Sequence, residues 1–190
     1  MTLPRRALLA LLPAALASCA SPNPELFLLL AVPGPRQRLK VRSVELRRIG
    51  LAGYLDRPEI VRSAADYRVH VAANQRWGEA LSSMLERVFT EDLVERLPDV
   101  AVFTEAGAIS TVPDLVLELD VQRLDTDASG LLVLLAQVAV RRADSRQPAH
   151  AATIRLTERP ASPATGDLIA AMSAALGALA DRVVVMLERA

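Results

Sequence analysis

Between residues 114 and 159 the chain repeats one pattern three times: "DLVLELDVQRLD" (114–125), "LLVLLAQVAVRRA" (131–143) and "HAATIRLTER" (150–159). In the first run Leu115, Leu117, Leu119 and Val121 alternate with Glu118, Asp120 and Gln122. A period of two is that of a strand with one buried face. The joining stretches, "DTDASG" (125–130) and "DSRQP" (144–148), are rich in turn formers and too short to hold a crossover. Parallel neighbours need a dozen or more connecting residues, so these three runs must form antiparallel hairpins. No other feature narrows the fold as much.

"VAVFTE" (100–105) is a further strand ahead of the meander, with Gly107 and Pro113 as turn residues after it. Upstream, "RLKVRSVELRRIG" (38–50) sets Leu39, Val41, Val44 and Leu46 against Lys40, Arg42, Glu45 and Arg47, with one slip near Ser43 that reads as a bulge. Residues 59–62 suit a short strand, and "DYRVHVAA" (66–73) alternates as another. Asn74 then reads as the N-cap of an amphipathic helix over 75–97. Its stripe is Trp77, Leu81, Met84, Leu85, Val88, Phe89 and Leu93, and Pro98 lies past its end. A second helix begins near Thr165, read as its N-cap, with Asp167 in the first turn. Leu168, Ile169, Met172, Leu176, Leu179, Val183 and Met186 form its stripe, and its many alanines permit close packing. The order β-β-β-α-β-β-β-β-α predicts a single α+β domain, a mainly antiparallel sheet with two long helices packed on one face.

The N-terminus reads "MTLPRRALLALLPAALASCA". Arg5 and Arg6 precede an apolar run, 7–17, that is too short to span a bilayer needing about 20 residues. Basic start, short apolar core and small residues before a cleavage point are the marks of a secretory signal, residues 1–18. Its end, Leu16-Ala17-Ser18-Cys19, resembles the bacterial lipobox, in which the cysteine is diacylated and becomes the first mature residue. Cys19 is the single cysteine, so no internal disulfide is possible and an exported free thiol would be exposed to oxidation. Several acyl chains, at about 0.8 kcal/mol per buried CH₂, would anchor the protein stably. Ala20, where aspartate favours inner-membrane retention in enterobacteria, points to the periplasmic face of the outer membrane. Residues 19–37 read as a lipidated tether and 38–190 as the domain.

The leader holds two of the 22 basic residues and none of the 22 acidic ones, so the mature balance is −2. A nearly neutral domain has no electrostatic footprint for nucleic acid. Aromatic residues make up 3% of a chain that is 52% hydrophobic, so the core is aliphatic. After the signal no apolar run reaches transmembrane length without a charge or break. Enzyme signatures are missing: no G-x-S-x-G, P-loop or dinucleotide fingerprint occurs. His70 and His150 fall on separate strands without metal-site spacing. Glu118/Asp120 suit an exposed strand face and Asp125/Asp127 a turn. The expectation is a protein that is not an enzyme and carries no cofactor or metal.

One dense polar loop remains, "AGYLDRPEIV" (52–61). Pro58 forces Arg57 into an extended conformation, and Asp56 can cap the turn. With the downstream "NQRWGEAL", this loop resembles the paired hallmark of the ABC-type transport auxiliary lipoproteins. The group includes the lipoprotein component (C) of the paraquat-inducible Pqi membrane-integrity transporter. The matching positions are Tyr54, Leu55, Asp56, Arg57, Pro58, Ile60 and Val61, then Arg76, Trp77, Glu79 and Leu81; Glu59 stands where glutamine is common. The resemblance implies a non-enzymatic subunit working with an inner-membrane ABC permease and ATPase and a periplasmic MCE-domain protein. It further implies membrane attachment through the lipid, a possible ring-like homo-oligomer, and a partner-binding patch formed by Tyr54, Leu55, Asp56, Arg57, Pro58 and Trp77. The alternative is a lipoprotein that itself binds a lipid or small molecule, which requires an apolar cavity.

Overall fold

The three-run pattern becomes a meander of β7 (Leu115–Thr126), β8 (Leu132–Arg142) and β9 (His150–Glu158). In the computed structural model, which describes residues 23–65, 67–108, 111–146 and 150–190, β7 and β8 pair antiparallel from Leu115↔Arg142 to Thr126↔Leu132. Strands β8 and β9 follow from Leu132↔Glu158 to Val140↔His150. The alternating residues Leu115, Leu117, Leu119 and Val121 are all buried in the core.

The remaining strands are β1 (Glu25–Phe27), β2 (Ser43–Leu46), β3 (Gly50–Leu51), β4 (Glu59–Ala65), β5 (Arg68–Trp77) and β6 (Ala101–Thr104). The long free edge of β7 takes β2, β3 and β4 in turn, all parallel to it. β2 pairs parallel with β6, and β1 parallel with β5. The nine-stranded sheet is therefore mixed, where a mainly antiparallel one was expected. The physical reason is the connection. Between β4 and β7 the chain makes a hairpin and a helix, long enough to return it in the parallel sense. The expected strand over 38–50 is two short ones, β2 and β3, each meeting a different stretch of β7.

Helix α1 (Leu81–Arg96) and helix α2 (Thr165–Glu188) pack on one face of the sheet and on each other. The predicted α1 stripe is buried from Leu81 to Leu93, and Asp92 and Arg96 are buried with it. The helix begins later than the sequence suggests. Asn74 is not its N-cap: it sits inside β5 in the left-handed region at φ 56°, and Ala80 occupies the cap position. Trp77 is thus a strand residue, 6% exposed. Sheet pairing captures the stretch, because Glu59 pairs with Arg76 and Phe27 with Trp77. Tertiary pairing here outweighs local helix propensity. In α2 the cap is Ala164, and the Thr165 hydroxyl bonds the Gln75 side chain instead. Asp167 lies in the first turn as expected.

By length and composition α2 could cross a membrane, but its apolar run is broken by Asp181 and Arg182, in keeping with the reading of the sequence, and 67% of its apolar stretch is buried inside the domain. It is the core helix of this fold, its broad apolar face buried and its charged Arg182 and Glu188 exposed.

Residues 25–37, assigned to the tether on sequence, are part of the domain. Leu29 is fully buried. The segment bridges the helices through backbone N–H donors: Leu30 to Ser173 Oγ (3.2 Å), Val32 to Asp92 Oδ1 (2.8 Å) and Gln37 to the Arg96 carbonyl (2.7 Å). Arg96, 1% exposed, closes this seam. It donates to Asp181 Oδ1 (2.6 Å) and to the carbonyls of Val32 (2.9 Å), Asp92 (2.9 Å) and Gly177 (3.0 Å). Gly34 fits closely beside it: a Cβ there would lie 2.3 Å from the guanidinium carbon and force the Arg96 side chain to shift. Asp92 is wholly buried, and desolvation pushes its carboxyl up to about 6 against the opposing pull of the Val32 N–H and Arg96.

Candidate functional site

The loop 52–58 leaves β3 and returns into β4. Its backbone is anchored at both ends: Ala52 N–H donates to the Val121 carbonyl (2.9 Å), and Trp77 N–H to the Pro58 carbonyl (2.8 Å). The second bond joins the two halves of the sequence motif. Nineteen positions separate Pro58 from Trp77 in sequence, and the β4–β5 hairpin brings them into contact.

Within this frame the side chains divide into two groups. Leu55 is 1% exposed and fills the core. Tyr54 is half-buried and its hydroxyl donates to Asp125 Oδ2 at 2.5 Å. Burial first, and the Asp125 carboxylate second, hold this phenol protonated far above its ordinary range. Tyr54 is thus a fixed donor and not a base. Asp125 is completely buried and accepts from Arg123 as well, Nε at 3.0 Å and Nη2 at 2.9 Å. The charge is paired and hydrogen-bonded, as a buried carboxylate requires. The sequence reading placed Asp125 in a turn. A register shift between Val121 and Arg123 lengthens β7 and carries Asp125 under the loop. The signal that could have found it is the loss of alternation after Val121.

Asp56, Arg57 and Pro58 are the second group, and all three are exposed. With Trp77, Glu79, Ala80 and Leu81 they line a small open pocket of about 260 Å³. All of the predicted patch residues therefore meet in one place, with Tyr54 and Leu55 beneath and Asp56, Arg57, Pro58 and the edge of Trp77 at its surface. Glu79 belongs to the rim as well and binds Arg87 Nη2 at 2.6 Å. The rim presents one acid, Asp56, and one base, Arg57, beside an indole, and among the described residues neither side chain makes an ion pair. It presents no nucleophile–base pair.

Other acids and bases are spread out. Glu118 is exposed and pairs with Arg141 at 3.5 Å, while Asp120 joins Arg47, Arg48, Val138 and Ala151 in an open trough of about 630 Å³ on the sheet. His150 Nε2 lies 2.9 Å from the Arg189 carbonyl oxygen, and His70 is exposed on β5. Among the described residues no three histidine, cysteine or acidic side chains converge on a point where a metal ion would sit. Cys19 lies outside the described residues.

Residues 28–184 match the family model described as the ABC-type transport auxiliary lipoprotein component. The chain belongs to this family of auxiliary lipoproteins. Membership in a lipoprotein family places it in the cell envelope, attached to a membrane. The auxiliary lipoprotein also shares its fold with solved structures. One, of an uncharacterised protein, has a TM-score of 0.71 at 13% identity and covers 86% of this chain and 97% of its own. Another, a Xanthomonas campestris protein of the DUF330 family, has a TM-score of 0.68 at 17% identity, covering 84% and 91%. No curated protein matches the sequence significantly.

Proposed function

We propose that this lipoprotein is the outer-membrane-anchored, non-catalytic auxiliary subunit of an ABC/MCE-type intermembrane lipid transport system that supports membrane integrity. The observation that carries the reading is the exposed Asp56–Arg57–Pro58 rim around Trp77. It is built from the two stretches of the family hallmark and held by bonds that do not involve its charged tips. In this reading Cys19 carries the acyl anchor, and the rim receives a periplasmic MCE-domain protein that leads to the inner-membrane permease and ATPase. A homo-oligomeric ring would match a ring-shaped MCE partner.

Affinity purification after envelope crosslinking tests this. An MCE-domain protein should be recovered with the wild type, and much less with Arg57→Ala. Repeated absence of any MCE-domain protein from the wild-type eluate would overturn the proposal. Cys19→Ala should release the protein from the membrane fraction, and gene deletion should sensitise cells to detergent. The second reading, a lipoprotein that carries a lipid or small molecule itself, needs an apolar cavity, whereas the 630 Å³ trough is open and lined in large part by charged side chains such as Arg47, Arg48, Glu105 and Asp120. Native mass spectrometry of gently purified protein would reveal such cargo as a discrete added mass.

A further inference from the structure

The β4–β5 hairpin projects beyond the sheet. β4 meets β7 only at Ser63↔Thr126, and β1 covers β5 only over 75–77. Past Ser63 the described residues of the two strands pair only with each other. Beside the exposed Arg68 and His70, this end of the hairpin also presents apolar side chains to water. Tyr67 at its tip is fully exposed, and Val69 and Val71 are 42% and 40% exposed. Tyr67 also holds a left-handed φ of 60°, which a bulky side chain adopts only at a cost, where glycine or asparagine would be at ease. Together these apolar side chains form a patch that a membrane interface could cover.

The path of the N-terminal segment indicates what covers this patch. β1 runs parallel to β5, with Glu25 beside Gln75. One step nearer the N-terminus, Asn74 Nδ2 donates to the Asn23 carbonyl at 3.2 Å. Followed backwards, the chain therefore heads along β5 towards the hairpin tip. Cys19 lies only four residue steps before Asn23, a reach of at most about 14 Å. From Asn74 to Tyr67 the hairpin extends about 15 Å in the same direction, by the length of the β4 stretch opposite. An acyl anchor on Cys19 thus brings a bilayer surface to the height of the tip.

We propose that the tip of the β4–β5 hairpin, Tyr67 with Val69 and Val71, seats in the interfacial layer of the same bilayer that holds the acyl anchor, a second contact that fixes the domain's orientation. This rests on the lipidation of Cys19. Tyrosine suits that layer because its ring is apolar and its hydroxyl stays hydrated. The consequence is directional. The rim of Asp56, Arg57 and Trp77 is at the opposite end of the hairpin, about 20 Å from the tip by the length of β4 between Glu59 and Ala65, and faces away from the anchoring membrane.

The test uses the full lipidated chain in vesicles of phosphatidylethanolamine and phosphatidylglycerol doped with a lipid bearing a nitroxide near the head of its acyl chain. Acylation consumes the Cys19 thiol, so Tyr67→Cys and Arg57→Cys each offer one thiol for an environment-sensitive fluorophore. At position 67 the probe should shift to the blue and be quenched several-fold more than at position 57. Equal quenching at the two positions, in protein that floats with the vesicles, overturns the hairpin contact and leaves the anchor standing. Protein that fails to float, or whose mass shows an unmodified Cys19, overturns the anchor and the hairpin contact together. Unlabelled Tyr67→Ser should retain the wild-type unfolding midpoint, which separates a role at the membrane from a role in the fold.

Discussion

Tyr54→Phe is the substitution that separates the two halves of the hallmark loop. It deletes one oxygen and leaves the ring where it is. The lost contact is the 2.5 Å bond to Asp125, a carboxylate with no exposed surface. A hydrogen bond to a charged group contributes about 1.5–3 kcal/mol, and a buried acceptor left short of a donor adds to the loss. Arg123 still donates two bonds to the other carboxylate oxygen, which keeps the cost at about 2 kcal/mol instead of the larger penalty of an unpaired buried charge. Equilibrium urea unfolding, followed by the fluorescence of the single buried tryptophan Trp77, reads this directly. The midpoint should fall with an unchanged slope. Arg57→Ala, by contrast, removes an exposed side chain and should leave the midpoint within about 0.5 kcal/mol of wild type. A Tyr54→Phe protein as stable as the wild type would refute the claim that Tyr54 supports the loop from beneath. So would an Arg57→Ala protein that unfolds first.

The other predictions concern the seam between the helices. Arg96→Leu removes the cation facing buried Asp92 and should cost about 3–5 kcal/mol in the same urea assay. Gly34→Ala forces a methyl group against the guanidinium and should cost about 1–3 kcal/mol, most of which disappears in an Arg96→Met background, a coupling that a double-mutant cycle measures. Asp92 supplies a pH dependence. Its folded carboxyl is raised from 3.8 to about 6, so its contribution is fully favourable below about pH 4 and is lost as pH rises through about 6, a change of about 3 kcal/mol. Asp92→Asn should remove that component, so the stability of the variant relative to wild type should rise between about pH 4 and pH 7. A difference profile that is flat with pH would show that Asp92 is not strained by burial.

Local pattern was enough wherever neighbours in sequence are also neighbours in space. The β7–β8–β9 meander is one such case: alternation sets which faces are buried and short turns set direction. The α1 stripe from Leu81 to Leu93 is another, because a 3.6-residue period leaves one apolar face to bury. The hallmark residues Tyr54 to Pro58 and Trp77 were also legible as a set, through resemblance to a family, and the hairpin between them brings them together.

Distant partners decided the rest. Asn74 to Trp77 became strand because β1 and β4 offered backbone hydrogen bonds that no helical window can foresee. The parallel sense of β2, β3 and β4 on β7 depends on how far the intervening chain travels before it returns. Asp125 was hidden by a bulge, and its role appears only once Tyr54 descends on it. Residues 25–37 look like a tether because their backbone bonds go to side chains on two helices far along the chain, and Arg96 closes over them only after both helices have packed. The sequence by itself determined the anchor motif, the strand meander and the helical stripes, since each is a property of adjacent residues. Only the tertiary structure decided which of the hallmark side chains point inward to hold the loop and which remain exposed at the surface, because that choice is made by what packs beneath them.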